Sequence, residues 1–288
     1  MRTYPIILGI TLWSATVQTV VGQEYKSISA KDSLTIQKLE RDLMAGKHQE
    51  VMGKVFGTPK YDIRTVGILV YDGVNDLDMI GPRYILGTMG TKTELIAVDS
   101  GNIKTIKGIE IIPDNIIDSV NQLDILVIPG GFQETLKAAY NQRVLEWIRK
   151  IDEGSIFTSS VCTGGWILGA TGLLEGKKAT TNWYRAEEML NQYGATFTNE
   201  RFTSDGKYWT SAGVTAGMDM SLAIMKEIWG ENYTQGLMLD MEYDPAPPIE
   251  GGSPEKTDDV VHWMLESMYT AGITTLIDSL ESTTRNHE

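Results

Sequence analysis

From residue 64 onward the apolar residues gather in short uninterrupted runs. Each run ends in glycine, proline or aspartate and gives way to helical spacing. "RTVGILVYDG" (64–73) reads as a buried strand closed by an Asp-Gly turn. "GPRYILGTMG" (81–90) predicts a helix with Pro82 at its first position, where a missing N–H removes nothing. "ELIAV" (94–98) is a second strand and "IKGIEIIP" (106–113) a hairpin or edge pair. "LDILVIPGG" (123–131) is the clearest buried strand, and "QRVLEWIRKIDEG" (142–154) an amphipathic helix stopped by Gly154. "SIFTSSV" (155–161) is the next strand, "RFTSDGKYWTSAG" (201–213) a hairpin turning at Asp205-Gly206, and "MDMSLAIMKEIWG" (218–230) a helix closed by Gly230. Strands alternating with helices predict an α/β domain around a mostly parallel sheet.

The flanks differ. Residues 23–61 are polar and helix-compatible, with Leu34, Ile36, Leu39, Leu43 and Val51 at rough helical spacing. Residues 1–22 have the form of a signal peptide, with Arg2, the apolar "PIILGITLW" and the small residue Gly22 before polar sequence. Ser14, Thr16, Gln18 and Thr19 interrupt that run and argue against a membrane anchor. The organisation expected is therefore signal peptide 1–22, helical extension 23–61, catalytic domain 62–245, and a Pro/Gly-rich crossing with a helical tail, 246–288. Export to the periplasm or outside the cell follows from the signal; without it the chain would be cytoplasmic.

Composition removes several classes of function. A net charge of −13 repels phosphate backbones and argues against nucleic-acid binding. A single cysteine forms no internal disulfide, and with three histidines (His48, His262, His287) it builds no metal cluster. No Walker loop or dinucleotide fingerprint is present, so no cofactor is expected.

In an open α/β sheet, reactive groups collect at the carboxyl ends of the strands, and three stretches of this sequence fall there. Cys162 in "SSVCTGG" lies between a strand and a helix. It is either a packed core thiol or a nucleophile on a sharp turn, its pKa lowered by the helix N-terminus. Thr163 adds a hydroxyl beside it, and Gly164 and Gly165 would let a substrate approach the backbone. Gly130 and Gly131 end the central strand, as ordinary loop glycines or as donors to a developing anion. The loop "YDGVNDLDMIGP" offers Asp72, Asp76 and Asp78. Turn and cap formation explains Asp72 readily. Asp78, between Leu77 and Met79, is the one expected to point into a confined, desolvated space and serve as acid or base.

Taken together, "ILVYDGVNDLDMIGP", "LDILVIPGGF", "SSVCTGGWILGATGLLEGKKATTNW", "SAGVTAGMD" and "MEYDPAPPIEGGSP" resemble the ThiJ/PfpI superfamily, and within it the isonitrile hydratases, from about residue 64 to 265. That resemblance implies a flavodoxin-like three-layer sandwich, a homodimer, a small-molecule substrate and hydro-lyase chemistry in which water adds to an isonitrile to give an N-substituted formamide. It maps the functional cysteine to Cys162, its neighbouring threonine to Thr163 and the functional aspartate to Asp78. One departure stands out: where the family carries histidine in "ATTHW", this chain has Asn182, which hydrogen-bonds but does not titrate near neutral pH. The competing readings are another superfamily activity (glyoxalase/deglycase- or amidase-like) and a non-catalytic thiol redox sensor. A peptidase would have histidine after the cysteine instead of Thr163, and a regulator would need a DNA-binding module that the tail lacks.

Overall fold

The computed structural model describes residues 29–285; the expected signal peptide lies outside them. The chain divides into two compact units after Lys54. The first holds helix α1 (Ala30–Met44) and most of α2 (His48–Phe56). Ser29 caps α1 by accepting the Asp32 amide at 3.2 Å, and Lys54 pairs with Asp42 (2.9 Å) and Glu50 (2.8 Å).

The second unit is the α/β sandwich. Seven strands form its central sheet: β1 (Thr65–Val70), β2 (Lys92–Ala97), β3 (Asn115–Ile116), β4 (Ile125–Ile128), β5 (Phe157–Val161), β6 (Phe202–Asp205) and β7 (Tyr208–Ser211). Their spatial order is β6-β7-β5-β4-β1-β2-β3, parallel throughout except for the β6–β7 hairpin. β1, β4 and β5 are wholly or almost wholly buried, as continuous apolar runs in a doubly covered sheet must be. Helices α3 (Asp76–Gly87), α4 (Gln133–Tyr140), α5 (Gln142–Gly154), α6 (Gly164–Ala170), α7 (Ala186–Gln192), α8 (Val214–Trp229), α9 (Glu231–Asp240) and α10 (Asp259–Arg285) complete it. α3 packs with α8, while α4, α5 and α6 pack with one another. Because β1, β4 and β5 are adjacent, their carboxyl-end loops meet in one place.

Three expectations shift. Pro82 lies inside α3 and does not start it, because Asn75 caps the helix earlier, accepting the amides of Leu77 (3.1 Å) and Asp78 (3.4 Å). A proline there cannot donate to the carbonyl four residues back, that of Asp78. In the β6–β7 hairpin Asp205 pairs with Tyr208, so the two-residue turn is Gly206-Lys207, with Gly206 at φ +63°. Glycine first in a two-residue turn matches the strand twist. The hairpin expected at 106–113 pairs Ile103–Lys104 with Glu110–Ile111, apart from the main sheet. Among the described residues no helix is long and apolar enough to cross a membrane.

Candidate active site

β5 runs into α6 through two residues, Cys162 and Thr163, the first of them at φ +58°. A non-glycine residue held there costs about 1–3 kcal/mol, and such strain persists only where the surroundings enforce it. Here they do. The Cys162 amide donates to the Ser211 carbonyl (3.0 Å), and its carbonyl accepts the Thr181 hydroxyl (2.7 Å) and the amides of Gly165 and Asn182 (both 3.3 Å). Thiol and backbone are thus presented at the top of the sheet, the geometry of a nucleophile on an elbow. Gly164 and Gly165 serve packing, not substrate approach. A Cβ on Gly164 would overlap the Ile128 carbonyl oxygen, and one on Gly165 would sit 2.8 Å from Thr181 Oγ1.

Asp78, in the first turn of α3, has no exposed surface. Its Oδ2 accepts the Gly130 amide at 3.2 Å, its Oδ1 is buried without a hydrogen-bond partner, and the carboxyl faces the Cys162 thiol. Burial raises the Asp78 pKa to about 7, against the opposing pull of the Gly130 amide and the Cys162 S–H. The other two loop carboxylates are structural. Asp72 accepts the Lys104 amide (2.8 Å), and Asp76 accepts the Thr105 hydroxyl (2.6 Å) and the Lys107 amide (3.2 Å).

The thiol behaves differently from the expectation of a lowered pKa. Cys162 is 8% exposed, and burial, reinforced by the charge of Asp78, drives its pKa well above the ordinary thiol value. The Thr163 amide and the Asn182 side chain, which donates to Sγ at 3.3 Å, pull the other way without prevailing. A seven-residue helix cannot offset the loss of water around the sulfur. Cys162 therefore rests as a thiol whose proton faces Asp78. Alkylation by iodoacetamide at pH 7.5 is expected to run at least about tenfold slower than for free cysteine, since only the thiolate reacts; a rate equal to or above free cysteine would contradict this resting state.

The glycine pair and Thr163 also take roles unlike those read from the sequence. The Gly130 amide is committed to Asp78, and the Gly131 amide donates to Thr163 Oγ1 (3.1 Å), so neither is free to meet an anion. The Thr163 hydroxyl donates to the Gly131 carbonyl (2.9 Å) and contacts Thr135 Oγ1 (3.1 Å), which in turn meets the Tyr71 hydroxyl (3.1 Å). It buttresses the elbow against the β4 loop, and what Thr163 presents to the sulfur is its amide.

Asn182 reaches the sulfur itself while its Oδ1 accepts the Tyr184 amide at 3.0 Å, which fixes its orientation. It also lines a cavity of about 870 Å³ together with Thr181, Trp183, Arg201 and Gly213. Cys162 is not on that lining; Asn182 is what the cavity and the thiol share. An aromatic wall that no local sequence pattern announces stands beside this site. Tyr269, from α10, packs against Phe132 (ring centroids 5.0 Å), Tyr184 (5.2 Å) and Trp183 (5.3 Å). His262 folds back as far as the Trp183 ring (5.5 Å), but no hydrogen bond joins it to Cys162. The aromatics in "GGF" and "TTNWY" were visible in the sequence, but nothing local tied them to the tail.

The DJ-1/PfpI family profile matches residues 64–227. Isonitrile hydratase of Pseudomonas putida is 32% identical over 197 residues, 68% of this chain and 86% of that protein. A deglycase of Thermococcus kodakarensis is 28% identical over 50% of this chain and 87% of its own length. The crystal structure of a ThiJ/PfpI family protein from Pseudomonas syringae matches with a TM-score of 0.73 at 32% identity, covering 80% of this chain and 93% of that one.

Proposed function

The chain belongs to the DJ-1/PfpI family, and from that premise we propose that it hydrates an isonitrile to an N-substituted formamide, with Cys162 as nucleophile and Asp78 as proton carrier. The observation that carries the reading is the pairing of a strained, buried thiol with a buried carboxyl whose pKa lies near 7. An isonitrile's terminal carbon must gain both a nucleophile and a proton, and this pair holds one of each on a single proton. The thiol proton passes to Asp78 and on to the carbon as sulfur bonds to it, which leaves a thioimidate, Cys162–S–CH=N–R. Water then bonds to the carbon and gives up its protons. The C–S bond breaks, the formamide leaves, and sulfur recovers a proton through Asp78. A dry site suits an uncharged substrate, since no ionic group has to be stripped of water.

Similarity to a deglycase admits a second family activity. By family resemblance a glyoxalase- or deglycase-like activity would pair the cysteine with a glutamate from the first loop; the carboxyl that meets Cys162 is the aspartate Asp78, and this favours the isonitrile reading. The test is to incubate the protein with cyclohexyl isocyanide and follow N-cyclohexylformamide by NMR. Enzyme-dependent formamide is expected; its absence, with release of a hydroxy acid from a dicarbonyl substrate instead, would contradict the reading. A homodimer belongs to the same reading, and light scattering at the mass of a single chain would argue against it.

A further inference from the structure

Hydration of an isonitrile needs a proton at nitrogen as well as at carbon, and the Cys162–Asp78 pair supplies those of carbon and sulfur. The polar groups around the pair are almost all committed. Asn182 is held by sulfur and by the Tyr184 amide, and Thr163 by Gly131 and Thr135. The Thr181 hydroxyl donates to the Cys162 carbonyl, Tyr71 to the Pro129 carbonyl (2.9 Å), and the Tyr184 hydroxyl meets Thr270 (3.0 Å). Ser160 Oγ and the Trp166 indole N–H are unpartnered but fully buried; one hydroxyl is unpartnered on a side chain that is not. The half-buried Tyr269 forms no hydrogen bond among the described residues, although its ring is packed on several sides.

We propose that Tyr269, supplied by the C-terminal helix, donates to the substrate nitrogen and promotes hydrolysis of the thioimidate. This rests on the isonitrile reading. Its placement is enforced from both flanks. Phe132 follows the glycine pair directly and Trp183 follows Asn182, so the rings that grip Tyr269 grow from the loops that hold Asp78 and Cys162. Gln133 Nε2 donates to the Gly272 carbonyl (2.7 Å), and a Cβ on Gly272 would lie 2.7 Å from the Phe132 ring, so α10 seats here at close range. The phenol senses the charges of both Cys162 and Asp78, and burial raises its pKa, which keeps it a donor through the neutral range. Tyr269 lies beyond the residues matched by the family profile, 64–227.

The protons balance. As water oxygen bonds to the thioimidate carbon, the phenol gives its proton to nitrogen and recovers one from the water. The second water proton passes to the Asp78 carboxylate and then to the departing sulfur.

Tyr269→Phe keeps the ring and removes the donor. With cyclohexyl isocyanide, formamide release by the variant is expected to fall about 10²-fold, the scale of one lost transition-state donor. The rate at which Cys162 acquires the isonitrile mass should stay within about twofold of wild type, so the adduct accumulates. Matched thermal unfolding of the two proteins excludes a folding effect. A variant that releases formamide at the wild-type rate without adduct, or that loses adduct formation as well, would overturn the role of Tyr269 and leave the isonitrile reading standing. A wild-type protein that forms no formamide would overturn both.

Discussion

Cys162→Ala is expected to lower formamide formation by about 10⁴-fold or more, the scale on which removal of a covalent nucleophile acts. The substitution keeps the Cβ, so it leaves the elbow backbone and its anchors to Ser211, Thr181 and Asn182 in place. Only sulfur is lost, and with it the bond that converts a one-step addition of water into two easier steps. Asp78 would still be buried and protonatable, so a mechanism in which the acid alone directs water onto the carbon predicts a far milder loss. Steady-state rates on cyclohexyl isocyanide separate the two. Turnover within about tenfold of wild type in Cys162→Ala would remove the sulfur from the mechanism.

Asp78→Asn should have two opposite effects. Formamide formation should drop by about 10²–10⁴-fold, because asparagine accepts the Gly130 amide as well as aspartate does but carries no proton to the carbon. Stability should rise. The Asp78 pKa of about 7 lies above the ordinary carboxyl value of 3.8, so the native state keeps a proton that the unfolded chain has lost. Stability of the wild type therefore falls as pH rises from about 4 to about 7, by a total on the order of 4 kcal/mol, and stays reduced above that. Asparagine lacks this penalty. Chemical denaturation should show little difference between the proteins at pH 4 and a variant several kcal/mol more stable at pH 8. Equal stabilities at pH 8 would mean that Asp78 ionises freely in the fold. The same titration governs activity: the reactive pair carries one proton, so kcat/KM should climb with pH up to about 7 and then level.

Much of this architecture is local and so visible in the chain. β1, β4 and β5 are short buried runs bounded by turn residues, and the Cys162 elbow and Asp78 sit at their ends, where topology brings them together. Asp78 separates from Asp72 and Asp76 by the apolar residues on either side of it. What stayed hidden depends on distant packing. A helix N-terminus beside Cys162 suggests a thiolate, yet the sulfur is buried against Asp78 and Asn182, which come from distant parts of the chain, and lacks the water that a thiolate needs. Gly130 and Gly131 have the form of anion donors, but their amides turn inward to Asp78 and Thr163, a direction set by three loops at once. Tyr269 carries no signature at all, because its role arises only where α10 crosses Phe132 and Trp183. Pro82 misled for a smaller reason: Asn75 offered a stronger start to the same helix.

The proposed hydration turns on a covalent bond between Cys162 and the substrate carbon, formed with the single proton shared with Asp78. Intact-protein mass spectrometry of the wild-type chain, acid-quenched during turnover of cyclohexyl isocyanide, tests it directly. The expected result is a mass increase of one isonitrile, located on Cys162 by peptide mapping, that forms and decays at least as fast as formamide is released. Formamide accumulating at full rate while Cys162 stays unmodified at every quench time would contradict it.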